Sequence, residues 1–422
     1  MNQPFHYKRG ELQCESIPLA ALASKFGTPL YVYSADEIRR RVELFANAFA
    51  DMPHTLGYAV KANSNLTVLK LLAKLGCGFD IVSGGELQRV LVAAPTSARD
   101  VVFSGVGKQA GEIDLALKSN ILLFNVESAA ELEVLAARAK HARRKARIAF
   151  RVNPDVDAAT HPYISTGLRE HKFGVDIHIA PELYALAAQH KWLEVAGVSC
   201  HIGSQITTVS PFGEALAKVR ELVTQLRANG HKIHYVDAGG GLGISYTTRP
   251  DGPQDDFAGR VEQYAAAIKL ALGGLGVHLL LEPGRAIIAH AGALLTRVLY
   301  TKQNGTKTFT VVDAAMNDLL RPSLYQAHHE IVPVRESKRQ TGFTDIVGPV
   351  CETGDFFARD RELVNVEDGE LLAILDTGAY GMSLASNYNS RARAAEVLVH
   401  GKHAKPIRKR ESIKEMLRAE ML

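Results

Sequence analysis

VAGVSCHIG (Val195–Gly203), YVDAGGG (Tyr235–Gly241) and HLLLEPGR (His278–Arg285) decide the fold, because each is an apolar run that ends in glycine, histidine or charge. Apolar runs without strict alternation suit strands covered on both faces, as in parallel sheets. Between the first two lies a helical pattern. Ser210 and Pro211 open it, Phe212, Leu216, Val219, Val223 and Leu226 step by four and three, and Gly230 closes it. Working outward toward the N-terminus, the same rhythm runs through TLGYAV from Thr55, FDIVS from Phe79, VVFSG from Val101, LLFNV from Leu122 and RIAFRVN from Arg147. Ser64 is the expected cap of a helix over Asn65–Leu75, which Gly76 ends. Eight strands, each followed by a helix or a long crossover, predict an α/β fold with a parallel (β/α)8 barrel of the TIM type over residues 30–280. A doubly wound open sheet is the alternative.

After Arg285 the rhythm changes. ALLTRVLYTK, KTFTVVDA, EIVPV, TDIVGPV and ELLAILDTGAY follow one another without long amphipathic helices, which predicts a mainly antiparallel sandwich or barrel over residues 281–422. Residues 1–29 are too few to fold alone and are expected to dock on this second domain. ESIKEMLRAEML at the C-terminus reads as a short helix. Two domains also suit a chain of 422 residues with ordinary hydrophobic (46%) and charged (22%) fractions, which exclude a disordered or fibrous protein.

A net charge of +4 over this length does not point to nucleic acid. The basic runs KHARRKAR (Lys140–Arg147) and KHAKPIRKR (Lys402–Arg410) read as a solvated helix C-terminus and a polar connection. Cys14, Cys77, Cys200 and Cys351 form no CxxC pair, so neither a metal site nor a disulfide framework is indicated, and a reducing cytoplasmic setting is expected. No apolar run approaches the ~18 residues of a membrane span, and no signal-like segment opens the chain.

The unusual residues fall at strand ends. Lys61 follows GYAV, Asp80 lies in FDIVS, and His201 and Ser204 close VSCHIGS. Gly239, Gly240, Gly241 and Gly243 follow YVDA, and Glu282, Pro283, Gly284 and Arg285 end HLLLEPGR. In a (β/α)8 barrel the C-terminal strand ends meet on one face, where such enzymes carry their chemistry. A lysine there is desolvated enough to act as an amine nucleophile, although a lysine taken alone is ordinarily a surface charge. GGGLG lacks the GxGxxG spacing and is not followed by a helix, so a dinucleotide site is disfavoured; a phosphate cradle and a plain tight turn remain equal readings.

YAVKAN, FDIVSGGEL, CHIGSQ, DAGGGLGI, EPGR, LLRPSLYQAHHEI, GPVCETGD and GAYGMSLASNYN occur in this order across nearly the whole chain. Together they resemble the fold-type III pyridoxal-phosphate decarboxylases, and among these the diaminopimelate decarboxylase family. The resemblance implies pyridoxal 5'-phosphate as cofactor, held by Lys61. Glu282 would face the pyridine nitrogen and His201 would stack on the ring. Ser204, Gly240, the Pro283–Gly284–Arg285 backbone and Tyr380 would receive the phosphate, and Asp80 would support the lysine. Cys351 would be the proton donor, acting across a head-to-tail homodimer in the partner's site.

For the substrate, meso-diaminopimelate, the resemblance and the charge pattern point to Arg285 and Arg321 for the distal carboxylate and Glu352 for the distal ammonium, with Tyr325 and Tyr380 beside them. Reaction at the D-centre would give L-lysine and carbon dioxide, the last step of lysine biosynthesis. A polyamine-pathway decarboxylase acting on ornithine, arginine or carboxynorspermidine is the enzymatic alternative. A binding protein that has lost the cofactor is the non-enzymatic one, against which Lys61, Glu282 and Cys351 all stand. Ala392–Arg393–Ala394 departs from the prolines usual in the family. The polar segment HPYISTGLREHKFG (His161–Gly174) is a candidate lid.

Overall fold

The computed structural model describes residues 3–156, 172–253 and 255–421 of the chain. The expected lid segment falls largely outside the described residues. The chain divides into two compact units: one comprises Met1–Arg41, Ser245–Asp255 and Ile287–Leu422, the other Val42–Ile244 and Asp256–Ala286.

The second of these is a closed parallel barrel. Its eight strands are His54–Ala59, Gly78–Ile81, Val101–Phe103, Leu123–Val126, Ala146–Asn153, Leu193–Ser199, Tyr235–Asp237 and His278–Leu281. Each pairs in parallel with the next, and the eighth pairs back onto the first through Leu279↔His54 and Leu281↔Leu56. Closure removes every sheet edge and rules out the doubly wound alternative. Val102, Leu123, Ala149, Ala196 and Leu280 fill the interior, so the barrel is a packed core open to chemistry only at its strand ends.

The helices between strands end as their residues dictate. Asn65, rather than Ser64, caps the helix Leu66–Lys74: its side chain accepts from the Thr67 N–H at 2.9 Å. Pro211 lies in the first turn of Ser210–Ala228, where a missing N–H costs nothing, and Gly230 follows the helix at φ 90°. Lys140 and His141 occupy the last turn of Ala129–Ala142, and Arg143 takes the left-handed cap position.

The other unit is mainly antiparallel. Its sheet runs in the order Phe356–Val364, Thr341–Val347, Lys307–Val312, Gly292–Asn304, Leu30–Ser34, Ala395–His400 and His403–Arg408, with Leu371–Ile374 and Ile331–Pro333 joined on through Gly292–Asn304. Here the domain limits differ from the expected ones. Leu30–Ser34 belongs to this sheet, not to the barrel, because it pairs antiparallel with Gly292–Leu295 and parallel with Ala395–Val399. KHAKPIRKR is likewise not a polar connection: Gly401, at φ 59°, turns the chain and His403–Arg408 forms an edge strand, where Pro406 and the charges discourage further pairing.

The N-terminal segment docks on this unit. Phe5, Leu12, Cys14 and Leu19 are buried with Leu30, Val32, Leu295 and Val332, and the Leu12 N–H donates to Val334 O at 2.8 Å. Ser412 and Glu415 form a capping box on the terminal helix Ile413–Leu417. In the segment that lacks prolines, the Arg393 guanidinium grips Glu411 at 2.9 Å. Among the described residues no helix is long and apolar enough to cross a membrane.

Candidate active site

Every strand of the barrel delivers a polar residue at its C-terminal end. Lys61 sits in the turn Val60–Ala62 directly after the first strand, and its Nζ lies 2.7 Å from Asp80 Oδ2 on the second. Asp80 is fully buried while the lysine side chain is 39% exposed, so the amine faces outward from a sunken anion. The turn packs closely on the eighth strand's exit: a Cβ on Gly284 would meet those of Ala59 and Ala62 at 3.0 Å.

Two further buried acids stand at strand ends. Asn125 Nδ2 donates to Asp237 Oδ2 at 2.6 Å, Ser199 Oγ to the same oxygen at 3.2 Å, and the Gly239 N–H to Asp237 Oδ1 at 2.9 Å. Ser104 Oγ donates to Glu282 Oε1 at 3.3 Å. Burial, then the nearby Asp237 and Asp80 carboxylates, push Glu282 well above the usual carboxylate range, with Lys61 opposing. Burial also raises Asp237, to which Glu282 is hydrogen-bonded. Of the two, Glu282 holds the proton, since Asp237 is the one stabilised by donors on both oxygens.

His201 follows the sixth strand. Burial, with Arg151 and Lys61 nearby, depresses its imidazolium well below 6.5, so the ring is neutral. The Gly240 N–H donates to Nδ1 at 3.1 Å, which places the ring's own N–H at Nε2. Gly240 cannot carry a side chain, because a Cβ would fall 2.1 Å from Glu282 O. Ser204 Oγ accepts from Arg285 Nη2 at 3.2 Å, so the residues expected to serve phosphate and substrate meet here directly.

The remaining expected residues belong to the β unit. Arg321 is buried at the start of the short helix Arg321–Tyr325, stacks 4.7 Å from the Tyr246 ring centroid, and contacts His329 Nε2 at 2.7 Å. His329 Nδ1 lies 2.7 Å from Leu375 O, which can only accept; the ring therefore donates there and accepts from the guanidinium, and is neutral. Tyr325 is half-buried and Tyr380 is held at φ 57°. Cys351 is the one exposed cysteine, and Glu352 is exposed beside it.

A model of the pyridoxal-dependent decarboxylases, pyridoxal binding domain, matches residues 35–289. Diaminopimelate decarboxylase of Pseudomonas aeruginosa is 50% identical over 418 residues, 99% of each chain. The chain belongs to the diaminopimelate decarboxylase family. Among solved members, the Helicobacter pylori diaminopimelate decarboxylase complexed with L-lysine superposes with a TM-score of 0.90 at 44% identity, covering 95% of this chain and 99% of that one. The M. jannaschii diaminopimelate decarboxylase, also in complex with L-lysine, gives 0.92 at 39%, covering 99% and 98%.

A diaminopimelate decarboxylase of this family uses pyridoxal phosphate, and the barrel residues fit that group. A partly exposed lysine amine stands at the strand ends, burial raises the Glu282 carboxyl well above the usual range, and Asp80 Oδ1 and Asn125 Oδ1 are buried without a hydrogen-bond partner among the described residues. Reading motifs alone passed over Ser104, Asn125 and Asp237, although each stands at a strand end and could have been found by that rule. It also passed over Glu86, which burial pushes up to about 7 beside Asp80 and Lys61. Tyr246 and His329 carry no comparable signal, because their partner Arg321 is distant in sequence from the first and merely near the second.

Proposed function

We propose that the protein decarboxylates meso-2,6-diaminopimelate at its D-centre to L-lysine and carbon dioxide, closing lysine biosynthesis. The observation that carries the reading is the Lys61 amine held at 2.7 Å by buried Asp80, with the buried Glu282 carboxyl at the end of the eighth strand. Substrate choice is supported by the relatives' shared activity and by the buried Arg321, whose planar fork suits a distal carboxylate.

When bound, pyridoxal phosphate supplies the electron sink for the pair left as the Cα–carboxylate bond breaks. Lys61 Nζ is the amine that would hold the cofactor through its aldehyde. Glu282 keeps a proton at its carboxyl for the ring nitrogen. Neutral His201 would cover the ring face, where a charged imidazole would compete for electrons. Ser204, Gly240, the Pro283–Arg285 backbone and Tyr380 would receive the phosphate. Arg285, Arg321 and Tyr325 orient the distal carboxylate, with Tyr380 beside them, and Glu352 takes the distal ammonium. Cys351 Sγ delivers the proton to Cα. We place Cys351 and Glu352 in the partner's site of a homodimer, in the cytoplasm, where four free cysteines are at home.

The test is carbon dioxide release from meso-diaminopimelate, ornithine, arginine and carboxynorspermidine. Only the first should turn over, with label lost from the D-centre carboxyl; turnover of ornithine or arginine in its place overturns the substrate. Lys61→Ala should abolish the cofactor's visible absorbance and cut kcat on the order of 10⁴-fold, the scale of losing a covalent nucleophile. An unchanged spectrum removes the lysine from its role.

A further inference from the structure

The turn Val350–Asp355 carries the expected proton donor and is pinned at its base. The buried Asp355 carboxylate accepts from the Val350 N–H at 2.7 Å and the Met316 N–H at 2.6 Å, and Ser323 Oγ donates to Gly354 O at 2.5 Å. The tip, Cys351 to Thr353, is exposed. Among the described residues two side chains, adjacent in sequence, bond to it from elsewhere. The Cys351 N–H donates to Asn389 Oδ1 at 3.0 Å, and Tyr388 OH donates to Glu352 Oε2 at 2.8 Å.

These two holders are themselves placed. Asn389 and Ser390 take the left-handed region at φ 55° and 52°, a conformation that asparagine tolerates better than most residues. Behind them, Arg391 Nε donates to Oδ1 of the buried Asn317 at 3.0 Å, and the Ser386 N–H donates to Asn317 O at 2.9 Å. The hydrogen bond to the Glu352 carboxylate holds the Tyr388 phenol above its usual value, so it stays a donor. The pair thus forms a two-pronged clamp on an otherwise exposed tip.

We infer that Tyr388 and Asn389 are positioning residues of the decarboxylation. Asn389 fixes the backbone that aims the Cys351 thiol, and Tyr388 orients the Glu352 carboxylate toward the distal ammonium. This rests on the roles proposed above for Cys351 and Glu352. From that backbone Cys351 aims its sulfur through a single side-chain torsion, and a proton transfer is sensitive to misplacement of about 1 Å.

Asn389→Gly keeps the left-handed backbone and deletes the acceptor; Asn389→Asp keeps the acceptor. The first should lower kcat for meso-diaminopimelate by roughly tenfold or more at unchanged cofactor absorbance and Tm, and the second should restore most of it. Tyr388→Phe should raise KM roughly tenfold with kcat nearly unchanged, the scale of one hydrogen bond to a charged group. A readout independent of turnover exists, because Cys14, Cys77 and Cys200 are buried and iodoacetamide on the native protein reports Cys351 alone. Asn389→Gly should change that labelling rate severalfold, and Asn389→Asp should not. Wild-type kcat together with a wild-type labelling rate in Asn389→Gly overturns the inference. So does an Asn389→Asp as impaired as the glycine variant. If Asn389→Gly melts early, Tyr388→Phe, which loses one oxygen from a side chain 46% exposed, still decides through KM. A wild type inert toward meso-diaminopimelate defeats the substrate reading alone, while the labelling comparison still judges the clamp.

Discussion

In the barrel mouth, Asp80, Asp237 and Glu282 are 0%, 0% and 8% exposed, and burial together with the neighbouring carboxylates raises the last two. In the Val350–Asp355 turn, Cys351 and Glu352 lie in the open, and their positions are set by two side chains some 36 to 38 residues away. The difference separates two ways of preparing a reactive group. Burial tunes what a group is, since a low dielectric magnifies every neighbouring charge. An exposed turn, held by side chains at its tip, sets where the group is. Substitutions in the first region should therefore disturb charge, cofactor and pH dependence, and those in the second should disturb turnover and substrate affinity while the cofactor still binds.

The sharpest test of the second half is Cys351→Ala. As the proton donor, its loss should cost about 10²–10³-fold in kcat, within the range of general acid catalysis. Because the thiol is exposed, Tm should stay within about 1 °C and the cofactor should still bind, surface changes of this kind costing little stability. A large fall in Tm would show that the turn is part of the fold, and wild-type turnover would remove the donor role.

Arg321 breaks the clean division, being a β-unit residue that is buried. Arg321→Ala should raise KM for meso-diaminopimelate by roughly 10- to 100-fold, since charge-assisted bidentate bonds are the strong ones. It should also lower Tm by several degrees, because His329 loses its donor and Tyr246 its stacked cation. Lysine should not rescue it, lacking the planar fork. A loss of cofactor affinity as large as that of substrate would mark a folding defect instead.

The same contrast explains what could be seen in the sequence. Barrel strands announce themselves as continuous apolar runs, and Lys61, Asp80, His201, Gly240 and Glu282 stand out because polar residues abruptly end such runs. All eight strands were legible in this way. Leu30–Ser34 was not, as an apolar run carries no label saying whether its neighbours are the barrel or strands near residues 292 and 395. His403–Arg408 was hidden by the charges that suit an edge strand. The Asn125–Asp237 bond spans 112 residues and the Tyr388–Glu352 bond 36, and neither pairing has a local signature. Chemistry written at strand ends can be read from sequence; the partners that hold it in place require the fold.

The smallest effect tests the barrel half most directly. In the folded protein the Glu282 carboxyl lies well above the 4.5 of an ordinary glutamic acid, through burial first and the Asp237 and Asp80 charges next. Above pH 4.5 the unfolded chain releases this proton while the folded chain keeps it, so the folded state binds more protons and stability falls as pH rises toward the folded value. His201 acts in the opposite sense: its depressed imidazolium makes stability fall as pH drops below 6.5. Comparing Glu282→Gln with wild type cancels the histidine contribution, which both share. In cofactor-free protein the glutamine variant should gain on wild type steadily from pH 5 to pH 8, reaching a few degrees in Tm. Added pyridoxal phosphate should then stabilise wild type more than the variant, because only a titratable acid can share its proton with the ring nitrogen. Parallel melting curves at all pH values would mean that Glu282 is ionised in the fold, and that the barrel positions its acid without tuning it.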